Sequence, residues 1–281
     1  MSEQKFEHLE IEMPKSMGGT IDGNYAVISL NRPDKLNALA PQTCKEMAEA
    51  LEPMEMEKGI RAVVLRGTKN ITKKAAFSAG ADLSAPLDKR LKMNIPMDFC
   101  HGIDIRHRYY FRIEEFTKPL IAAVDGYAFG GGCELALVCD IIIASKRSFF
   151  GFPEIKRGIF PSNGGCVRML RNIGLQRAMK MLYFGERISA EQGLDWGLVS
   201  FIAEEGDEFE NLVHEKASWL GEQATTSLMM IKKSAKFGGQ VPIPIGYHFE
   251  TLGAGVMTGS KDVQEGITAF LQKREPKFKG F

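Results

Sequence analysis

Short apolar segments that end in turns recur through the first two thirds of this 281-residue chain. Each has the length and the β-branched or aliphatic content of a buried strand. They are residues 25–31 (YAVISLN), 62–67 (AVVLRG), 119–125 (PLIAAVD) and 140–145 (DIIIAS). Helical patterns follow several of them, beginning near Pro41, after the Gly130-Gly131-Gly132 turn and near Gly164. Strands that alternate with helices in this way predict an α/β architecture.

The strand pattern stops near residue 205. Residues 207–275 have helical periodicity, interrupted at Gly238-Gly239 and at Pro242–Pro244. A chain of this length can bury one substantial core and still carry a smaller appendage. We therefore predict a main domain over 1–205 and a helical C-terminal domain over 206–281.

Charge and composition exclude several classes of protein. The chain has 36 basic and 35 acidic residues, so no overall charge attracts it to nucleic acid or to an anionic membrane. No apolar run approaches the ~18 residues of a membrane span. The N-terminal residues are too acidic and polar for a targeting peptide, and the five cysteines include no CxxC pair. We expect a cytoplasmic protein with reduced thiols and no metal site.

Three segments have compositions that suit a binding site better than a core. In the first, FSAGADL at 77–83, small residues leave the backbone amides accessible to a ligand. In the second, GYAFGGGCEL at 126–135, three glycines lead into a helix. The free N–H groups and the dipole of that helix suit a phosphate or a developing oxyanion. An ordinary tight turn is the simpler interpretation of the first segment.

Two glutamates belong to these segments. Glu134 carries the only charge between Asp125 and Asp140, and it either serves a site or complements the first turn of its helix. Glu154 follows a proline in the third segment, FGFPEIKRGIFP at 150–161. A single carboxylate in a loop is usually solvated or paired with a cation. Together, two carboxylates and two accessible backbone segments can hold one water and one carbonyl oxygen.

The order and spacing of these segments resemble the signature of the crotonase (enoyl-CoA hydratase/isomerase) superfamily. The similar segments are AFSAGADL, PLIAAVDGYAFGGGCELALVCDIIIAS and FGFPEIKRGIFPSNGG. Supporting matches are VISLNRPDKLNAL, GERISAEQGLDWGLV and EGITAFLQKREPKF, so the resemblance covers about residues 20–280. It implies a crotonase-like spiral of ββα units with a helical C-terminal segment that builds homotrimers, often paired into hexamers.

The resemblance also implies the catalytic groups. It places an oxyanion hole at the backbone N–H groups of Ala81 and Gly131. It makes Glu134 and Glu154 the pair that adds water to a 2-enoyl-CoA thioester, because isomerases of the family commonly keep only the second acid. No metal or redox cofactor is expected, since coenzyme A enters as part of the substrate.

The substrate contacts follow from the same resemblance. One loop would hold coenzyme A, and two C-terminal residues would reach it across a subunit boundary. The loop residues are Ala79, Gly80, Ala81, Asp82, Leu83 and Ser84, and the C-terminal residues are Phe270 and Lys273.

An acyl pocket is expected around Glu154. Its candidate residues are Phe150, Phe152, Phe160 and Ser162, the last standing where many hydratases have glycine. Bulky rings would favour crotonyl-CoA over 2-dodecenoyl-CoA, unless they only fill the core.

Other reactions of this superfamily remain alternatives: enoyl isomerisation, dehydration of a 3-hydroxyacyl-CoA and hydration of a dienoyl-CoA. RNA binding is a further alternative, because some relatives of the hydratases carry a lysine-rich helix. Here Lys89, Arg90 and Lys92 are too few for such a surface, so no nucleic-acid partner is expected.

Overall fold

The computed structural model describes residues 5–69, 74–84 and 96–280. The strands are β1 (Leu9–Glu12), β2 (Tyr25–Leu30), β3 (Ala62–Gly67), β4 (Ala76–Ser78), β5 (Leu120–Val124), β6 (Tyr127–Phe129), β7 (Ile141–Ser145), β8 (Phe149–Gly151), β9 (Arg187–Ser189) and β10 (Phe201–Ala203). The helices are α1 (Pro41–Met56), α2 (Pro96–Glu115), α3 (Gly131–Val138), α4 (Gly165–Ile173), α5 (Leu175–Phe184), α6 (Ala190–Asp195), α7 (Asp207–Glu222), α8 (Thr225–Lys232), α9 (Ile243–Met257) and α10 (Lys261–Leu271). All the strands predicted from apolar runs are confirmed, with ends that differ by no more than one residue.

The strands form two sheets. The larger has the order β1-β2-β3-β5-β7-β10 and the smaller has the order β4-β6-β8-β9. Among the described strand pairs, β1–β2 and β8–β9 are antiparallel and the others are parallel. In the larger sheet the side chains of β5 are completely buried, as the continuous apolar run LIAAV requires.

Successive units of two strands and a helix build this arrangement. In β3-β4-α2 and in β5-β6-α3 the first strand joins the larger sheet and the second joins the smaller one. The pair β7-β8 repeats the pattern before α4. The predicted ββα repetition is confirmed.

This repetition brings the three candidate segments together. Each includes the carboxyl end of one strand, β4, β6 or β8, and the residues after it, and these strands are adjacent and parallel in the smaller sheet. Parallel strands end at the same edge of a sheet, so their carboxyl ends present the following loops side by side. Residues that lie far apart along the chain thus meet at one edge.

The C-terminal helices differ in what they bury. Four residues of α7 pack against one face of the larger sheet: Phe209, Val213, Ala217 and Leu220. Helices α9 and α10 instead leave large apolar side chains exposed, including Ile243, Tyr247, Leu252, Phe270 and Leu271. The domain boundary at 206 stays a prediction, although α7 completes the core of the preceding domain.

Two sequence predictions concern nucleic-acid binding and membrane crossing. Lys89, Arg90 and Lys92 lie outside the described residues. Among the helices that the structure describes, none combines the length and apolar character needed to cross a membrane.

Candidate active site

The loop after β4 is held by the segment after β2. The amide of Ala79 donates to Leu36 O at 3.0 Å, and that of Leu39 donates to Gly80 O at 2.8 Å. The amide of Asp82 then donates to Leu39 O at 2.9 Å. Between these tethered residues, the N–H of Ala81 has no hydrogen-bond acceptor among the described residues. The loop therefore presents a fixed, unused donor.

The side chain of Asp82 holds the same loop together. Its carboxylate accepts hydrogen bonds from the Ser84 hydroxyl at 2.6 Å and from Arg32 Nη2 at 2.7 Å. Lys35 Nζ lies 3.1 Å from it. The Ser84 hydroxyl first, and then the Ser84 amide and the two cations, hold the pKa of this carboxyl well below its usual range. The Asp82 carboxylate is thus bonded to groups of the protein. A ligand would contact the backbone of this loop and the exposed side chains of the loop.

A second donor lies at the start of α3. Gly131 is the first residue of the helix, so its N–H has no acceptor within the helix. A Cβ built on Gly131 would lie 3.5 Å from Ala81 N, which places the two backbone segments in contact. The buried Tyr110 hydroxyl donates to Gly131 O at 3.2 Å and fixes the peptide that follows Gly131. The geometry suits an oxyanion site between the two amides.

Glu134 lies one turn further along α3 and is 1% exposed. Its Oε1 accepts hydrogen bonds from the amides of Asn163 at 2.7 Å and Gly165 at 3.0 Å. Its Oε2 accepts a third, from Asn163 Nδ2 at 3.0 Å. This set of donors fixes the position of the carboxylate and suits a charged acceptor.

Glu154 lies in the short helical turn Pro153–Arg157 that follows β8. Burial raises the pKa of its carboxyl to about 7, and the neighbouring charge of Glu134 adds to the increase. Its Oε2 is buried and has no hydrogen-bond partner among the described residues. Gly130, with a φ of +52°, permits this approach, because a Cβ there would lie 2.6 Å from Glu154 Oε1. The two acids therefore differ in their surroundings.

The thiols near the two acids are unsuited to nucleophilic chemistry. Burial raises the pKa of Cys133 and Cys166 above the ordinary thiol value, and the carboxylates of Glu134 and Glu154 contribute to both increases. Within the described part of the chain, no cluster of three or more His, Cys, Asp or Glu residues could hold a metal ion.

The predicted acyl-pocket residues occupy different environments. Phe150 and Phe152 are fully buried in the main core, although the Phe152 ring faces Gly165 beside the Glu134 carboxylate. Phe160 is 69% exposed and, together with Ser162, lines a cavity of about 1480 Å³ between α2, α4 and the C-terminal helices. The predicted preference for short acyl groups stays a prediction, and of the three candidate rings only Phe160 lines this cavity.

Most of the remaining residues predicted to contact coenzyme A lie on the surface. In the loop, Ala79, Ala81, Leu83 and Ser84 are exposed, and Gly80 is buried. Phe270 is 82% exposed on α10, and Lys273 follows the end of that helix. Contact between these two residues and coenzyme A bound to another subunit stays a prediction.

Sequence reasoning missed two residues that hold the proposed catalytic groups in position through hydrogen bonds. Asn163 and Tyr110 were not singled out, yet both bond directly to the Glu134 or Gly131 segments. An amide side chain directly before two glycines in PSNGG is the signal that could have pointed to Asn163. Tyr110 lies in a charged helical stretch, and no local pattern marks it as buried.

Comparison with known proteins finds similar sequences over most of the chain. The sequence model of the family described as "Enoyl-CoA hydratase/isomerase" matches residues 20–280. The chain is 36% identical over 254 residues to 2,3-dehydroadipyl-CoA hydratase of Escherichia coli (strain K12), covering 90% of this chain and 94% of that protein. It is 35% identical to the short-chain-enoyl-CoA hydratase of Clostridium acetobutylicum, covering 92% of this chain and 95% of that one.

Solved structures show the same similarity. A crystal structure of enoyl-CoA hydratase subunit I from Geobacillus kaustophilus HTA426 matches with a TM-score of 0.86 at 33% identity, over 98% of this chain and 99% of the other. That of enoyl-CoA hydratase from Bacillus anthracis matches with a TM-score of 0.85 at 30% identity, over 98% and 100% of the two chains.

Proposed function

The chain belongs to the enoyl-CoA hydratase/isomerase family and has its crotonase fold, and from that premise we propose that Glu134 and Glu154 hydrate a 2-enoyl-CoA thioester. The product of this enoyl-CoA hydratase is a 3-hydroxyacyl-CoA. One observation carries the assignment of residues. The Glu134 carboxylate, held by three N–H donors, lies beside a second glutamate whose pKa is raised to about 7.

The thioester oxygen binds between the amides of Ala81 and Gly131. Negative charge grows on this oxygen as water attacks C3, so fixed donors stabilise the transition state more than the bound substrate. Each donor contributes roughly 3 kcal/mol at comparable sites. The tethering of the Ala81 loop and the Tyr110 bond to Gly131 mean that neither donor must reorganise during the reaction.

The two acids divide the proton transfers. Glu134, fixed by N–H donors, accepts a proton from the attacking water. Glu154 remains partly protonated near neutral pH and supplies the proton to C2. The proposal needs no metal or redox cofactor, and we expect the enzyme to act in the cytoplasm.

An assay of two isomeric substrates tests the proposed reaction. We expect loss of the conjugated-enoyl absorbance when crotonyl-CoA is hydrated, and slower turnover of a 3-enoyl-CoA. Conversion of the 3-enoyl-CoA without hydration of crotonyl-CoA would instead identify an isomerase. The same assay with 2-dodecenoyl-CoA tests the predicted preference for short acyl groups, where each methylene changes the transition-state binding energy by ~1–3 kcal/mol.

We also propose that the chain assembles as a trimer or as a pair of trimers. Helices α9 and α10 expose several large apolar side chains, with Leu252 at 71% and Phe270 at 82%. Apolar surface of this extent favours burial in a symmetric assembly. Light scattering is expected to give three or six times the 31.2 kDa chain mass. An active monomer would contradict the assembly and the predicted contacts of Phe270 and Lys273 with a neighbouring subunit.

A further inference from the structure

Asn163 lies against the Glu134 carboxylate and is itself 9% exposed. Its side-chain nitrogen donates to Glu134 Oε2 at 3.0 Å. A carboxylate only accepts hydrogen bonds, so the atom of the Asn163 amide that faces it must be the NH2 group. The other atom, Oδ1, is then buried without a donor among the described residues. A buried carbonyl oxygen of this kind needs an O–H or N–H group from a ligand or water.

Both the C=O and the N–H of the peptide unit between Ser162 and Asn163 form hydrogen bonds. His107 Nε2 lies 2.5 Å from Ser162 O, and the N–H of the same peptide unit donates to Glu134 Oε1 at 2.7 Å. A donor at the carbonyl polarises a peptide and strengthens its N–H as a donor. Arg168 Nη1 donates to Asn163 O at 3.0 Å and fixes the next peptide. The backbone around Asn163 is therefore held independently of its side chain.

We propose that Asn163 is a positioning residue for hydration, which holds Glu134 through Nδ2 and orients the attacking water through Oδ1. The inference rests on the proposed function. The hydrogen bond from Nδ2 holds Glu134 Oε2 in place, and the attacking water donates one of its hydrogens to the Glu134 carboxylate. Oδ1 accepts the second hydrogen of the same water, which leaves a lone pair directed at C3. After addition, Oδ1 can accept from the hydroxyl of the product.

Substitution of Asn163 separates this role from packing. In Asn163→Ala both hydrogen bonds are lost, and we expect kcat for crotonyl-CoA to fall about 10–100-fold while KM changes less than about threefold. In Asn163→Asp the shape is kept but the donor becomes an acceptor next to Glu134. We expect this variant to be slower than Asn163→Ala at about pH 8, because two carboxylates repel each other. A packing role alone would give the opposite order, with alanine the more damaging.

The pH dependence supplies a second signature. The carboxyl introduced by Asn163→Asp donates again once it is protonated, so the activity of this variant relative to the unsubstituted enzyme should rise as pH falls from about 8 to about 6. The same ratio for Asn163→Ala should change little. Other ionisable groups near Glu134 are common to all the variants and cancel in the ratio. They are Glu154, Cys44, Tyr110, Cys133 and Cys166, together with His107 at Ser162 O and Arg168 at Asn163 O.

Asn172→Ala is the matched control. Asn172 is an exposed asparagine on α4, the helix that follows Asn163, and it is bonded only to Arg168 O among the described residues. Its replacement should leave kcat and KM unchanged. Near-native kcat in Asn163→Ala, or an Asn163→Asp variant faster than Asn163→Ala at every pH, would overturn the inference. Failure of the unsubstituted enzyme to hydrate crotonyl-CoA would overturn the proposed function instead, so the two failures are distinguishable.

Discussion

Replacing Glu134 or Glu154 with glutamine is expected to lower kcat for crotonyl-CoA hydration by roughly 10²–10⁴-fold, the usual span for a lost acid or base. Glutamine keeps the length and shape of the side chain, so binding of the CoA ester should persist. The Glu134→Gln variant carries a second defect. One carboxylate oxygen of Glu134 accepts from the backbone amides of Asn163 and Gly165, and the other accepts from Asn163 Nδ2. In glutamine an NH2 group replaces one of these oxygens, so the donors on that side lose their acceptor.

The pH profile distinguishes the two acids. The pKa of Glu154 is raised to about 7, so its protonated fraction falls as pH rises through that value. If Glu154 supplies the proton to C2, kcat/KM for hydration has a limb near this pH that declines toward higher pH. Glu154→Gln should remove the limb, because glutamine does not titrate. Stopped-flow or steady-state rates over about pH 5–9 measure it.

Glu191→Gln, a change at an exposed glutamate in the first turn of α6, provides the control. It should preserve both the rate and the limb. If Glu134→Gln or Glu154→Gln kept near-native turnover, the assignment of two catalytic carboxylates would be wrong. If the limb near pH 7 remained in Glu154→Gln, the group that titrates would not be Glu154.

Local pattern and resemblance together predicted much of the fold, and they singled out Glu134 and Glu154 as the proposed catalytic pair. Strands such as Leu120–Val124 are buried on both faces, so their side chains form a continuous apolar run that is visible in sequence. The glycines before Glu134 were equally visible, because a helix with small residues at its start leaves its amides open.

The supports of the site could not be predicted, because they depend on contacts between distant segments. The Ala81 loop is held by Leu36 and Leu39, about forty residues earlier, and the Glu134 carboxylate by Asn163. The raised pKa of Glu154 is also tertiary in origin, since it depends on burial rather than on the neighbouring Lys156 or Arg157. Composition alone had suggested a solvated loop carboxylate at this position.

Gly131→Pro is expected to lower kcat about 10²–10³-fold by removing one donor from the oxyanion site. Proline is favoured at the first position of a helix, where its missing N–H has no partner in the helix and its φ suits the backbone. The first carbon of the ring also has room, since a Cβ on Gly131 would meet its nearest neighbours, Ala81 N and Leu39 Cδ1, at 3.5 Å. The variant should therefore fold, as circular dichroism and thermal melting can verify.

Two control substitutions separate the loss of the donor from other effects of the proline. Gly131→Ala adds the same Cβ but keeps the N–H, so it should retain more activity than Gly131→Pro. Cys133→Ala changes a fully buried thiol of the same helix that has no assigned role, and its kcat should stay close to that of the unsubstituted enzyme. Equal losses in Gly131→Pro and Gly131→Ala would show that bulk near Ala81, rather than a missing hydrogen bond, slows the reaction. Full activity in Gly131→Pro would remove Gly131 from the oxyanion site, leaving Ala81 to act with a different donor.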